Sequence, residues 1–220
     1  MHFYTNVFAR GNFIYIRGYK DSKFYQEKIP YKPYLFLPKD NGKYTTLKGK
    51  DVEKKVFNTI KDAKNFIQQY EDVDNFEFFG LTQFQYLYIY DTFHGDIQYD
   101  PSLVSIVSLD IECAADEGFP NIQNADKEIT AITIRKNGIS YVLGCGNFKT
   151  NDPNIKYLKC KDEYTLLSNF LKLWEFPSIR PDVITGWNIE FFDIPYLFNR
   201  IKFIMGEAEA YRLSPWGLIY

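Results

Sequence analysis

Along residues 1–90, apolar side chains alternate with polar ones in short runs such as FIYIRGY and FQYLYIY. A repeat of two is that of a strand with one face in a core, and it predicts strands over residues 13–19, 24–29, 34–37 and 84–90. Ahead of the last of these the repeat lengthens. Ile60, Ala63, Ile67 and Tyr70 recur at helical spacing behind Thr59, whose hydroxyl suits the free amides at a helix start. A helix beginning there, apolar on one face, is expected.

The stretch DTFHGDIQYDPSL then breaks both repeats with Gly95, Pro101 and a cluster of polar side chains, the composition of a connection. A domain boundary is placed near residue 103, giving domains 1–103 and 104–220. Beyond it, residues 103–113, 128–136 and 139–145 read as three successive strands, the last two joined by Asn137-Gly138, a strong hairpin signal. Asp162 is positioned to cap a helix whose Tyr164, Leu167, Phe170, Leu171 and Trp174 form a core stripe, and PDVITGWN follows as a short buried strand. A second helix starts near Asp193. Pro195 suits its first turn, where the missing amide would have had no partner, and Ile194, Leu197, Phe198, Ile201, Ile204 and Met205 cover one face. The predicted order is β-β-β-α-β-α, with no internal repeat.

Composition narrows the classes. With 45% hydrophobic and 25% charged residues, the 220-residue chain can bury one large core or two modest ones. No apolar run nears the roughly 18 residues that span a bilayer, and the first residues lack a signal peptide's apolar stretch, so neither membrane insertion nor secretion is expected. Cys113, Cys145 and Cys160 are odd in number and scattered, which fits a reducing cytoplasm better than a disulfide framework or a zinc site. A net charge of −2 argues against gripping duplex nucleic acid by bulk electrostatics. Any such contact must be local. One local excess runs from Lys39 to Lys64, where eight lysines face Asp40, Asp51, Glu53 and Asp62. It reads either as a solvated loop and helix face or as a phosphate-facing patch. The aromatic content of 19% lies mostly in alternating runs, where packing is the first use and base stacking the second.

Candidate chemistry begins at VSLDIECAADEGFP. Residues two apart on a strand share a face, so Asp110 and Glu112 project together from the end of the first strand of the second domain. Two like charges so placed repel unless a cation compensates. Hard oxygen donors select Mg²⁺ or Mn²⁺, and two such ions about 4 Å apart can activate a water and stabilise a leaving oxygen in phosphodiester cleavage. Alone, the Asp-x-Glu pair is a weak signal that more often describes two solvated charges. TGWNIEFFDIP adds Asp193, delivered from a second strand to the start of a helix, where a capping role is the ordinary reading. A carboxylate pair on the first strand of a hairpin-linked set, then strand, turn, Asp and helix, is the order that builds the carboxylate cluster of an RNase H-like nuclease.

With these residues in view, DIECAADEGFP, EITAIT, RPDVITGWNIEFFDIPYLFNRIKFIMGE and LSPWG resemble the proofreading exonuclease domain of family B DNA polymerases, and within them the T-even-like bacteriophage replicative enzymes. YKPYLFLP, TIKDAKNFIQQYED and DTFHGDIQYD resemble their N-terminal domain. The resemblance implies a 3′→5′ exonuclease acting on the single-stranded 3′ end of DNA with two Mg²⁺ or Mn²⁺ ions, in the cytoplasm of a bacterial host if phage-encoded. By the same resemblance, Asp110 would bridge both metals, Glu112 would hold the one that activates the attacking water, and Asp193 would bind the second. Phe119 falls where the family has an aromatic near the frayed 3′ end; stacking there and folding onto its own domain both remain open. Asn188 is either a substrate contact or a turn residue bonded to nearby backbone. Asp116 and Glu117 read as solvated, and Glu190 has no motif role.

The fold class implied is α+β and α/β: a small α+β N-terminal domain, then an RNase H-like mixed-sheet exonuclease domain incomplete at its C-terminal side. The family's third motif, Tyr-x-x-x-Asp on a later helix, is expected many residues beyond Tyr220. Without its carboxylate, a chain of these 220 residues is expected to bind the second metal weakly, to cleave slowly or not at all, and not to polymerise DNA. A polymerase C-terminal polypeptide would complete it, beside a strand 183–187 left with an open apolar edge. The alternatives are a non-catalytic module that binds nucleic acid or a replisome protein, and an RNase H-like domain with decayed chemistry.

Overall fold

A computed structural model describes residues 1–114 and 118–219 of the chain. Asp116 and Glu117 lie outside the described residues. The chain divides into two compact units, Met1–Leu103 and Val104–Tyr220.

The first unit opens with an antiparallel meander, β1 (His2–Arg10), β2 (Phe13–Lys20) and β3 (Lys23–Pro30). Its second turn is Asp21-Ser22, both with positive φ, the handedness that matches the strand twist in a two-residue hairpin. A second antiparallel sheet has the order β4 (Tyr34–Pro38), β6 (Asp51–Val56), β5 (Tyr44–Thr45). Helix α1 (Ile60–Tyr70) starts as its sequence predicts, with the Thr59 hydroxyl accepting from the Asp62 amide at 3.1 Å. The predicted strand at 84–90 is instead helix α2 (Phe84–Thr92). Its alternating aromatics suggest a sheet, but Phe84, Leu87 and half-buried Tyr88 also meet at helical spacing. Asp91 at its end accepts from the hydroxyls of Tyr31 (2.6 Å) and Tyr34 (2.9 Å). Ile14, Leu35, Ile60, Ala63 and Phe84 centre the core of this unit.

The lysine-rich segment contains exposed loop positions, the short strand β5, β6 and the first turn of α1, where Lys61 and Lys64 are exposed. Lys39 pairs with Glu53 and Lys50 with Glu77, while Lys54 lies 3.5 Å over the Tyr34 ring and Lys55 4.1 Å over Phe66. These lysines are part of the unit's own surface packing.

The second unit is built on a five-stranded mixed sheet in the order β10-β9-β8-β7-β11. Strands β7 (Ile106–Cys113), β8 (Ile129–Lys136) and β9 (Ile139–Gly144) are antiparallel neighbours. The β8–β9 hairpin turns at Asn137-Gly138 with φ of 49° and 80°, the primed turn that this dipeptide favours. A fourth strand, β10 (Ile155–Lys159), which the sequence pattern did not reveal, runs parallel to β9 along one edge. Helix α3 (Glu163–Glu175) is capped by Asp162, whose carboxylate accepts from the Thr165 amide at 2.8 Å. Leu166, Leu167, Phe170, Leu171 and Trp174 enter the core, whereas Tyr164, predicted there, is exposed at the margin of that stripe in the first turn. Strand β11 (Val183–Thr185) is parallel to β7 on the other edge. It was predicted buried and is exposed throughout, since it has a neighbour on one side only. Helix α4 (Asp193–Met205) follows, then the short α5 (Glu207–Ala210). Tyr196, Leu197 and Ile201 of α4 join the core formed by β7, β8 and α3. Each fully buried side chain of this size stabilises by roughly 1.5–3 kcal/mol before entropy is counted.

Candidate active site

Strand β7 accommodates two carboxylates because only one of its faces is buried. Val107, Leu109 and Ile111 point into the core, and Asp110 and Glu112, one position out of phase, are exposed on the opposite face. No ion pair is formed by either carboxylate among the described residues.

Asp193 approaches from the edge of the same strand. The pairing of β11 with β7 ends at Thr185 opposite Ser108, so the β7 backbone beyond that point has no strand on that side. The Asp193 carboxylate takes up the vacancy: its Oδ1 accepts from the Ile111 amide at 3.2 Å, between Asp110 and Glu112. Asp193 is 5% exposed. Burial raises its pKa above the usual carboxylate range, the Ile111 amide opposes that shift, and the Asp110 charge adds to it. The side chain does not cap its own helix; Phe192 is the cap residue, without a side-chain bond. Both Glu112 and Asp193 act electrostatically on the neighbouring Cys113, whose thiol burial pushes up to about 11.

Geometry thus brings Asp193 onto β7 beside Asp110, with Glu112 further along the exposed face. The three have the hard oxygen donors that Mg²⁺ or Mn²⁺ prefers. Among the described residues, however, no group of three or more His, Cys, Asp or Glu side chains closes around a common point that could hold a metal ion.

The chain reaches Asp193 through a tight passage. A Cβ at Gly186 would lie 2.5 Å from the Leu109 carbonyl oxygen, so only glycine lets the segment cross β7 there. Asn188 follows with φ of 52°, and its carbonyl accepts from Phe191 (3.1 Å) and Phe192 (2.9 Å). Its backbone therefore does the work of a turn residue, and its side chain is exposed. Phe119 is 83% exposed, touching Phe192 with ring centroids 5.5 Å apart; Phe192 in turn stacks on Tyr196. Trp187 and Phe191, not singled out from the sequence, are 92% and 71% exposed in the same connection. Their signal was present: a dense aromatic stretch, WNIEFF, that fits neither a strand nor a helix repeat.

Residues 82–219 match the exonuclease domain of DNA polymerase family B. The chain belongs to this family. It is 32% identical to the DNA-directed DNA polymerase of Escherichia phage RB69, over 97% of this chain and 27% of that polymerase. Against the DNA-directed DNA polymerase of Enterobacteria phage T4 the identity is 31%, over 99% of this chain and 27% of the relative. The DNA polymerase delta catalytic subunit of Candida albicans is 33% identical over 44% of this chain and 10% of that subunit. The chain therefore spans about a quarter of the length of its phage relatives, and is a T4-like family B polymerase exonuclease region. Among the described residues no helix is long and apolar enough to cross a membrane.

Proposed function

We propose that residues 104–220 form an RNase H-like 3′→5′ exonuclease part of a family B polymerase, hydrolysing the terminal phosphodiester of a single-stranded DNA 3′ end, with residues 1–103 as the N-terminal domain. The carrying observation is Asp193, buried on the Ile111 amide beside Asp110, in a stretch that belongs to the exonuclease family. Asp110, Glu112 and Asp193 are the side chains that would hold two divalent cations. Bound there, such ions supply an activated water and charge stabilisation for the leaving oxygen. Burial at Asp193 suits that role, since a carboxylate short of solvent and next to a like charge gains most from a cation. Exposed Phe119, Trp187 and Phe191 offer stacking faces for the terminal bases, and Asn188 presents its side chain beside them.

Residues 1–220 contribute three carboxylates. The fourth, from the Tyr-x-x-x-Asp motif, would come from further polypeptide, in the same chain or another. We expect the 220-residue polypeptide to release nucleotides slowly from labelled single-stranded DNA in Mn²⁺, Asp110→Ala to abolish this, and a polypeptide carrying the third motif to raise it. Turnover by the 220 residues alone at the rate of an intact family member would overturn the need for a fourth carboxylate; turnover unaffected by Asp110→Ala would overturn the site. A second reading, a non-catalytic nucleic-acid-binding module, draws support from the carboxylates not closing into a metal cluster among the described residues. It predicts no cleavage even after the third motif is supplied.

A further inference from the structure

Helix α4 does more than deliver Asp193. Three residues on one of its faces, Tyr196, Asn199 and Arg200, hold the segment that follows Phe119. The Tyr196 hydroxyl donates to the Lys127 carbonyl at 2.7 Å and accepts from the Lys127 amide at 2.8 Å. Asn199 Nδ2 donates to the Ile122 carbonyl at 2.9 Å. Arg200 Nη1 donates to the Ala125 carbonyl at 2.7 Å. The rest of that guanidinium is spent on Glu163, the first residue of α3, with Nε to Oε1 at 2.7 Å and Nη2 to Oε2 at 2.6 Å. Glu163 Oε1 also accepts from the Ile129 amide at 2.7 Å, at the start of β8. Arg200 and Glu163 are both buried.

Two charges taken out of water stabilise only if their hydrogen-bonding capacity is met, and a hydrophobic pair of similar volume often does as well. The pair is thus poorly explained by stability alone. Its geometry, in contrast, is specific: a planar five-donor fork meets a bidentate carboxylate on one side and a loop carbonyl on the other, a task lysine cannot perform. Four parts of the unit meet at this one point. They are α4, α3, the first residue of β8 and the loop at Ala125.

We infer that Arg200, locked by Glu163, is a positioning residue that holds the 118–128 segment, and with it the exposed Phe119, in register with Asp193 on the same helix. The inference rests on the exonuclease reading for its consequence, namely that the aromatic facing the terminal base and the carboxylate facing the scissile phosphate move as one body. It stands on the geometry for its cause. Phe119 and Asp193 are then linked twice: through the Phe192 ring at one end of α4, and through the Arg200 fork two turns along.

The test uses Arg200→Met, Arg200→Lys and Glu163→Gln in the 220-residue chain. Hydrogen exchange is read at the 121–129 amides and, as control, in the β8–β9 hairpin. Binding of a fluorescent single-stranded oligonucleotide is read by anisotropy in Ca²⁺. Arg200→Met should speed exchange at 121–129 by about tenfold or more while the hairpin amides hold, and should weaken the oligonucleotide about fivefold to tenfold. Arg200→Lys, which can reach one partner but not grip all three acceptor oxygens of Glu163 and Ala125, should fall between. If Arg200→Met does not fold, Arg200→Lys and Glu163→Gln carry the same comparison. Exchange that rises equally everywhere, or not at all at 121–129, overturns the positioning role. Local loosening with no oligonucleotide binding by the unmodified chain leaves the positioning role standing and counts against the exonuclease reading instead.

Discussion

Asp193 is buried where Asp110 and Glu112 are exposed, and it carries a charge that its surroundings disfavour. Its folded-state pKa is raised, mainly by burial, so the folded chain holds that proton more tightly than the unfolded chain does. The charge therefore costs nothing below the unfolded pKa, and its cost grows as pH rises through the raised one. Asn at this position keeps an acceptor for the Ile111 amide and removes the charge. Asp193→Asn should raise the melting temperature by about 2–4 °C at pH 7, with the gain fading toward pH 3; a lower melting temperature at pH 7 would show the carboxylate to be a stabilising group instead. Its place at the start of a helix after a strand was legible in the sequence, but its hydrogen bond to another strand was not. That bond depends on where β11 stops, a long-range fact. Phe119 shows the same division: the position is plain in DEGFP, and its resting place on Phe192 is not.

At the scale of elements, the features read correctly carried local chemistry. Asn137-Gly138 dictates its hairpin, and Thr59 and Asp162 each accept a first-turn amide as their types predict. The errors fall where tertiary packing decides. FQYLYIY is rich in strand-forming residues, yet it folds as a helix against the first unit's core. The short β10 is recruited to the sheet by β9 rather than by its own pattern. Between these cases lies the passage at Gly186, whose need for glycine is set by the Leu109 carbonyl on another strand. Gly186→Ala should cost about 1–3 kcal/mol in denaturant unfolding and should loosen the Ile111–Asp193 contact, seen as faster exchange of the Ile111 amide. An unfolding midpoint equal to that of the parent chain would mean that the crossing has more room than its geometry gives it.

Over the whole molecule the net charge is −2. The lysine-rich segment is occupied in large part by its own carboxylates and aromatic rings, among them Lys54 over Tyr34 and Lys55 over Phe66. Lys54→Ala and Lys55→Ala should each lower stability by about 0.5–1 kcal/mol and leave oligonucleotide affinity unchanged. A clear loss of affinity, steeper at low salt, would restore the phosphate-facing reading of that segment. We propose nucleic-acid contact instead at the carboxylate edge of the second unit and its exposed aromatics. The most direct measurement of that assignment is Mn²⁺ binding by the 220-residue chain, followed by electron paramagnetic resonance. Binding should weaken at least about tenfold in each of Asp110→Ala, Glu112→Ala and Asp193→Asn. Wild-type affinity in Asp193→Asn, or no Mn²⁺ bound by the parent chain at millimolar concentration, would contradict a shared carboxylate site.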